Sequence, residues 1–239
     1  MSTTSTAKHV VGLSGGKDST ALALWLVENE PRDYEFICNT TGDELPEMVE
    51  HWAKLERMLG KPLKQVTHEL NLIQLCEAQN ALPNWRQRWC TRMLKIEPTI
   101  RYFETLPDDS VLYVGLRADE ELRKGLYGED INVRFPLREQ KMGLEDVVKF
   151  LDDRGVCIPA RTDCGACFYQ RLGEWRTLYF QHPDRYRTYS DLEKKTGHTF
   201  RSPGRDAWPA DLESLGKEFD KGRVPREYAR GVSCRVCSL

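Results

Sequence analysis

A doubly wound α/β fold, with helices wrapping a parallel β-sheet, is predicted for residues 1–154, followed by a Cys-rich, basic, helical or irregular region over residues 155–239 packed on it. Three observations predict it. Short β-branched runs alternate with helical patterns through the first part of the chain. One apolar run passes through a glycine pair into an Ala- and Leu-rich helix, and five of the eight cysteines fall after residue 155. At 239 residues the chain holds one substantial core and an appendage, but not two full domains of ordinary size.

In order, strands are predicted at 9–13, 35–39, 64–68 and 111–115, and helices at 19–29, 46–59, 91–104 and 144–153. Pro46 fits the first position of its helix, where the missing N–H costs nothing, and Pro98 fits a helix start or a kink. After Gly155 the periodicity weakens, and Pro, Gly, Arg and aromatic residues dominate through Arg201-Ser-Pro-Gly-Arg-Asp-Ala-Trp-Pro209. There is no internal repeat and no low-complexity tract.

Hydrophobic residues at 40%, charged residues at 30% and a mean hydropathy of -0.59 exclude collagenous, wholly disordered and membrane-spanning classes. No apolar run approaches the roughly 18 residues that a membrane span needs. The polar, Ser/Thr-rich start lacks the apolar stretch of a secretory signal, so a cytoplasmic protein without a membrane partner is expected. A reducing compartment keeps thiols free, which points the cysteines toward metal, cluster or redox chemistry. The net charge of -2 conceals an asymmetry. Residues 155–239 carry 15 Lys and Arg against 11 Asp and Glu, a net of +4, which leaves -6 for residues 1–154. A basic end suits a polyanionic partner or merely a solvated surface.

The richest stretch is Val10-Val-Gly-Leu-Ser-Gly-Gly-Lys-Asp-Ser-Thr20. A strand, a glycine turn and a helix N-terminus together make an anion site. Glycines let the backbone approach the ligand, the first-turn N–H groups and the helix dipole face it, and Lys17 with the two serines adds donors. The four-residue spacing between glycines of the ordinary mononucleotide loop is absent.

Ser14-Gly-Gly-Lys-Asp-Ser19 after a first strand resembles the pyrophosphate loop of the adenine-nucleotide alpha hydrolase superfamily, and within it the chain most resembles the phosphoadenosine phosphosulfate (PAPS) reductase family. Three further segments carry the likeness: Asn39-Thr-Thr-Gly-Asp-Glu-Leu-Pro-Glu47, Cys90-Thr-Arg-Met-Leu-Lys-Ile-Glu-Pro98 and Gly115-Leu-Arg-Ala-Asp-Glu-Glu-Leu-Arg123. Phe135-Pro-Leu137 with Leu144-Glu-Asp-Val147 adds a fifth, weaker one that lacks the family's Trp. The resemblance implies a Rossmann-like, HUP-type sheet with an adenine nucleotide, ATP with magnesium or PAPS, across the C-terminal strand edges. It implies that Ser14, Gly15, Gly16, Lys17, Asp18 and Ser19 hold phosphate or sulfate, that Gly42 and Glu44 line the cleft, and that Gly115, Arg117 and Arg123 complete it. Lys17, Asp18 and Arg117 are the implied catalytic residues. Read from the residues alone, Arg117 and Arg123 also fit surface pairing with Asp119 to Glu121.

Cys164-Gly-Ala-Cys167 and Cys234-Arg-Val-Cys237 have the spacing that lets two sulfurs reach one metal. Cys38, in a predicted strand, and Cys76, in an apolar stretch, fit packing, and the apolar neighbours of Cys157 suggest burial. The resemblance places Cys90 where iron–sulfur members carry ligands, although Trp89 stands where the family has a second cysteine. It thereby implies a [4Fe–4S] cluster on Cys90, Cys164, Cys167 and one of Cys234 or Cys237, with structural zinc on the two pairs as the rival.

Beyond the cysteines, Arg171, Trp175, Arg176 and Tyr179 recur at helical spacing. Arginine interleaved with aromatics suits nucleic acid, but Leu172, Trp175, Leu178 and Tyr179 also make a core stripe. None of the five histidines has a ligand partner by spacing. Three functions follow. The first is an ATP pyrophosphatase that adenylates an acceptor for sulfur transfer, with a nucleic-acid acceptor as in DNA phosphorothioation and a cysteine desulfurase or thioredoxin-type donor as partner. The second is a thiol-dependent reductase of PAPS or adenosine phosphosulfate, and the third a nucleotide-binding subunit. The reductases carry a Glu-Cys-Gly-Ile/Leu-His motif where this tail reads Val232-Ser-Cys-Arg-Val-Cys-Ser-Leu239.

Overall fold

The structure, a computed structural model, describes residues 6–120, 127 and 131–226. Five strands, β1 (His9–Gly12), β2 (Tyr34–Cys38), β3 (Leu63–Gln65), β4 (Val111–Tyr113) and β5 (Asn132–Arg134), form one sheet in the order β3-β2-β1-β4-β5. All pairings are parallel, with His9 opposite Tyr34 on one side and Val111 on the other. Four of the strands are those expected from the sequence. β5 was not, because Asn-Val-Arg is too short and too polar to announce itself.

Alternation along β1, β2 and β4 buries both faces, as the middle of a parallel sheet requires, while the edge strands β3 and β5 stay partly exposed. Val11, Leu13, Phe36 and Tyr113 enter one core with α1 (Lys17–Asn29), Leu55 of α2 (Pro46–Leu59) and α7 (Leu144–Asp152). Val10, Ile37, Leu112 and Val114 enter the other, with Ile96 and Ile100. Pro46 is at the first turn of α2, and Gly60, at φ +64, ends that helix in the left-handed conformation.

Between the sheet halves the chain forms α3 (Leu72–Gln79), α4 (Trp89–Thr91), a π-helical turn Arg92–Ile96 and α5 (Glu97–Phe103). Glu97 N–H bonds Arg92 O, a five-residue step. The widened turn stands just before Pro98, whose missing N–H leaves Leu94 O without the usual helical donor. The 3₁₀ turn Ala118–Glu120 follows β4, and α6 (Pro136–Glu139) follows β5.

The C-terminal region is more helical than its composition suggested, with α8 (Leu172–Gln181), α9 (Pro183–Thr196) and α10 (Leu212–Asp220). They share a third core with α3: Leu72, Leu75 and Cys76 pack with Trp175, Tyr189, Leu215 and Phe219. Trp175 is fully buried, so in α8 the aromatic stripe builds core, while Arg176 stacks on exposed Phe180. Among the described residues no helix is long and apolar enough to cross a membrane.

The winding direction places the site. From β1 the chain builds outward through β2 and β3, then returns to β4 on the opposite side of β1. The strand order therefore reverses between β1 and β4, and open α/β sheets bind ligands at the C-terminal edge of that reversal.

Candidate functional site

At that edge Gly15 adopts φ +86, which glycine tolerates and other residues avoid. A Cβ there would come within 2.8 Å of Met48 Cε and Trp52 Nε1. Trp52 Nε1 donates to Ser14 O at 2.9 Å, so α2 braces the loop from outside. Within it, Gly16 N–H donates to Ser14 Oγ at 3.4 Å, Ser14 and Ser19 hydroxyls lie 3.0 Å apart, and Ser19 Oγ donates to Gly16 O at 3.1 Å. The cap of α1 is Gly16, which supplies no side-chain acceptor. The first-turn N–H groups of a 13-residue helix thus face the crevice uncapped, the arrangement that favours an anion.

β4 brings the opposing wall. A Cβ on Gly115 would stand 2.9 Å from the backbone C and O of Asp18, so only glycine permits this approach of strand to helix. Two residues on, buried Arg117 donates from Nη1 to Asp18 Oδ2 at 2.9 Å and from Nε to Asp119 Oδ1 at 2.8 Å. Burial works against the guanidinium charge, but its bonds to Asp119 and Asp18 outweigh this and hold its pKa above the ordinary value. Lys17 Nζ reaches the same Asp18 Oδ2 at 2.9 Å, while Asp18 Oδ1 is buried with no hydrogen-bond partner. Lys17, Asp18 and Arg117 therefore form one linked group in which both cations are buried. The surface pairing that composition allowed for Arg117 is realised through Asp119, yet the residue is only 7% exposed.

The loop after β2 forms the third side. Gly42 has φ +71, and a Cβ there would meet Asn71 Cβ at 2.6 Å. Glu44 folds back on its own loop, accepting from Thr41 N–H at 2.6 Å and Thr41 Oγ1 at 2.7 Å. A cavity of about 230 Å³ opens here, lined by Thr40, Gly42, Glu44, Val49, Trp52 and Gln65.

The cysteine turn adjoins this loop. Glu44 makes an antiparallel bridge with Cys164, and Gly165 N–H donates to Asp43 O at 2.7 Å. Arg161 holds the turn from its other side, with Nη2 donating to Cys164 O at 2.7 Å, Nη1 to Gln170 Oε1 at 3.1 Å and Nε to Asp163 Oδ1 at 3.0 Å. The Cys164 and Cys167 thiols are within hydrogen-bonding reach of each other. That bond, then burial, pushes the Cys164 thiol well up; the same bond lowers Cys167, but burial and Asp163 leave it raised. Burial, then neighbouring Cys164, pushes Cys90 up to about 11.

Cys90, Cys164 and Cys167 thus share one buried neighbourhood, with Cys76 packed beside them. The donors are chemically right for a thiolate-bound metal, but among the described residues no three His, Cys, Asp or Glu side chains are grouped to hold an ion. A cluster or zinc site would need the second cysteine pair. Cys234 and Cys237, like Arg123, lie outside the described residues. Cys38 and Cys76 are core residues, as expected. Cys157 is exposed, contrary to the expectation of burial: Val156 and Ile158 turn into the core, and alternation sends the residue between them outward.

Sequence reasoning missed several residues that the fold recruits. Asp43 is 5% exposed and receives Tyr189 Oη at 2.6 Å, Ala166 N–H at 2.9 Å and Arg185 Nη1 at 3.3 Å. Burial pushes its carboxyl up to about 6, against these bonds. His51 of α2 is buried against Gly15 of the glycine loop, with its pKa lowered by burial and Nε2 without a partner. Asp43 and His51 carried no spacing signal, since each meets its partners only through tertiary contact.

A glycine loop, a helix N-terminus and a buried cationic pair at the reversal point of a parallel sheet define an α/β protein of the pyrophosphate-loop class. More closely, residues 8–127 match the phosphoadenosine phosphosulfate reductase domain, and the chain belongs to that family. A curated relative, an uncharacterized protein of Methanocaldococcus jannaschii, is 28% identical over 116 residues, which is 48% of this chain. The matched part spans only 24% of that relative's length. Among solved structures, phosphoadenylyl-sulfate reductase from Candida auris in its phosphate complex aligns with a TM-score of 0.49 at 14% identity, over 65% of this chain and 76% of that one. The U34-tRNA thiolase NcsA of Methanococcus maripaludis with its [4Fe-4S] cluster aligns with a TM-score of 0.47 at 17% identity, over 89% and 80%.

Proposed function

We propose that the protein is an ATP pyrophosphatase that adenylates an acceptor for sulfur transfer, with a nucleic acid as the acceptor. The uncapped first turn of α1, which bears Lys17 and meets Arg117 across the β1/β4 crevice, carries this reading. In the first half-reaction an acceptor oxygen attacks the α-phosphorus and pyrophosphate leaves. Lys17, Arg117 and the loop N–H groups bind the phosphates and oppose the charge that builds on them, so catalysis is chiefly positioning and electrostatic stabilisation. The acidic neighbours of the cationic pair suit a nucleotide that arrives with a divalent cation. Magnesium would supply charge neutralisation, and Asp18, whose Oδ1 has no partner, is the residue to hold it. In the second half-reaction the outer sulfur of a persulfide, which a cysteine desulfurase loads onto the C-terminal thiol that a cluster leaves free, attacks the activated atom and displaces AMP. A thioredoxin-type dithiol then reduces the resulting S–S bond, which frees the thiolated acceptor and the carrier thiol. A [4Fe–4S] cluster or zinc on Cys90, Cys164, Cys167 and the C-terminal pair would organise those thiols.

The family's description favours a second reading, reduction of PAPS or adenosine phosphosulfate by a thiolate that attacks the sulfate sulfur. One experiment separates the two. Anaerobically purified protein is incubated with ATP or with PAPS, with and without single-stranded or duplex DNA. Pyrophosphate from ATP, increased by DNA, is the expected result; sulfite from PAPS without pyrophosphate from ATP would establish the reductase instead.

A further inference from the structure

Asp43 belongs to the nucleotide loop by its backbone and to the cysteine turn by its side chain. Its neighbours Gly42 and Glu44 line the cavity, whereas its own carboxylate points the other way, into the third core. There Oδ2 accepts Ala166 N–H at 2.9 Å, and Oδ1 accepts Tyr189 Oη at 2.6 Å and Arg185 Nη1 at 3.3 Å. The Asp43 carbonyl accepts Gly165 N–H at 2.7 Å, and Glu44 bridges to Cys164. One residue thereby receives both amides that lie between Cys164 and Cys167. The junction has no slack, because a Cβ on Gly165 would collide with Tyr189 Oη.

We propose that Asp43 is a positioning residue that couples the occupancy of the nucleotide cleft to the geometry of the Cys164/Cys167 thiol pair. This rests on the reading of the cleft as a nucleotide site. Two loops joined by two hydrogen bonds and a backbone bridge move as one body, so a ligand that shifts residues 42–44 also shifts residues 164–167. The coupling would deliver the thiols in register with the bound nucleotide, independently of which sulfur chemistry follows.

Backbone amide exchange in peptides spanning residues 163–168, read by mass spectrometry on the full chain with and without ATP, or with PAPS in parallel, tests this. In the wild-type protein, saturating nucleotide changes exchange there by about threefold or more, while α10 is unaffected. In Asp43→Asn the isosteric amide cannot accept at both ends. Exchange without nucleotide then rises by about tenfold, the effect of one lost hydrogen bond, and no longer responds to nucleotide, although calorimetric affinity stays within a few-fold. Should Asp43→Asn fail to fold, Tyr189→Phe removes one donor and is expected to weaken the response. A merely structural Asp43 would speed exchange equally in the free and bound states, and that result overturns the proposal. So does nucleotide binding that leaves wild-type exchange unchanged, with the nucleotide reading intact; absence of binding by both ATP and PAPS would overturn the two together.

Discussion

The Arg117 guanidinium and the Asp18 carboxylate, 99 residues apart in sequence, meet at 2.9 Å across the crevice between β1 and β4. This contact joins the head of α1 to the end of β4 and holds the Arg117 guanidinium beside the first-turn N–H groups. Arg117→Ala is expected to lower ATP affinity by about 10- to 100-fold, as truncating one partner of a buried charged pair does, and Arg117→Lys to recover only part of it. Titration calorimetry reads the change. Unaltered affinity in Arg117→Ala would remove this residue from the site.

Glycine substitutions should divide according to what a methyl group meets. Gly115→Ala presses on the Asp18 backbone at 2.9 Å, which is expected to cost about 1–3 kcal/mol and to weaken nucleotide binding as the helix head is displaced. Gly173, inside α8, has nothing within 4 Å of its would-be Cβ. Gly173→Ala is expected to stabilise by roughly 0.5–1 kcal/mol through helix propensity alone. Thermal unfolding of the two variants should move in opposite directions.

Glu193 sets a pH dependence for the C-terminal helices. It accepts Phe200 N–H at 2.8 Å and Leu212 N–H at 2.6 Å from a buried position, and burial pushes its carboxyl up to about 7. A carboxyl raised in the folded state favours folding when protonated. Its contribution is therefore fullest below its ordinary value of 4.5 and is lost as pH rises toward 7. The stability difference between wild type and Glu193→Gln, from urea unfolding, should shrink by about 2–3 kcal/mol between pH 5 and pH 8. A difference independent of pH would show that the group does not titrate in that range.

The thiols should separate into binding and non-binding sets. Iron and sulfide are expected after anaerobic purification, with visible absorption, and Cys164→Ser or Cys167→Ser should lower both sharply. Cys157→Ser, at an exposed position, should leave them unchanged. A colourless protein with one zinc and no iron would replace the cluster by a structural zinc site.

The glycine loop was legible because its chemistry is local. Ser14 to Ser19 meet one another within a single turn, so a strand, two glycines and a helix start announce the loop without help from the rest of the chain. The same holds for α2, whose N-terminal Pro46 and terminal Gly60 mark its limits. β5 and α10 were not legible: three polar-flanked residues and a nine-residue segment after a Pro- and Gly-rich stretch owe their conformation to the surfaces they cover.

By itself the sequence determined the parallel α/β class, the family and the glycine turn between the first strand and its helix, since these depend on periodicity and on contacts between near neighbours. Only the tertiary structure decided that Arg117 closes on Asp18, that Trp175 is core and Cys157 surface, and that Asp43 holds the cysteine turn. Each of those outcomes turns on which buried polar groups find partners 99 residues or more away, or on which side of a loop faces the core. Desolvation makes such pairing obligatory, but no pattern along the chain says where the partner will come from.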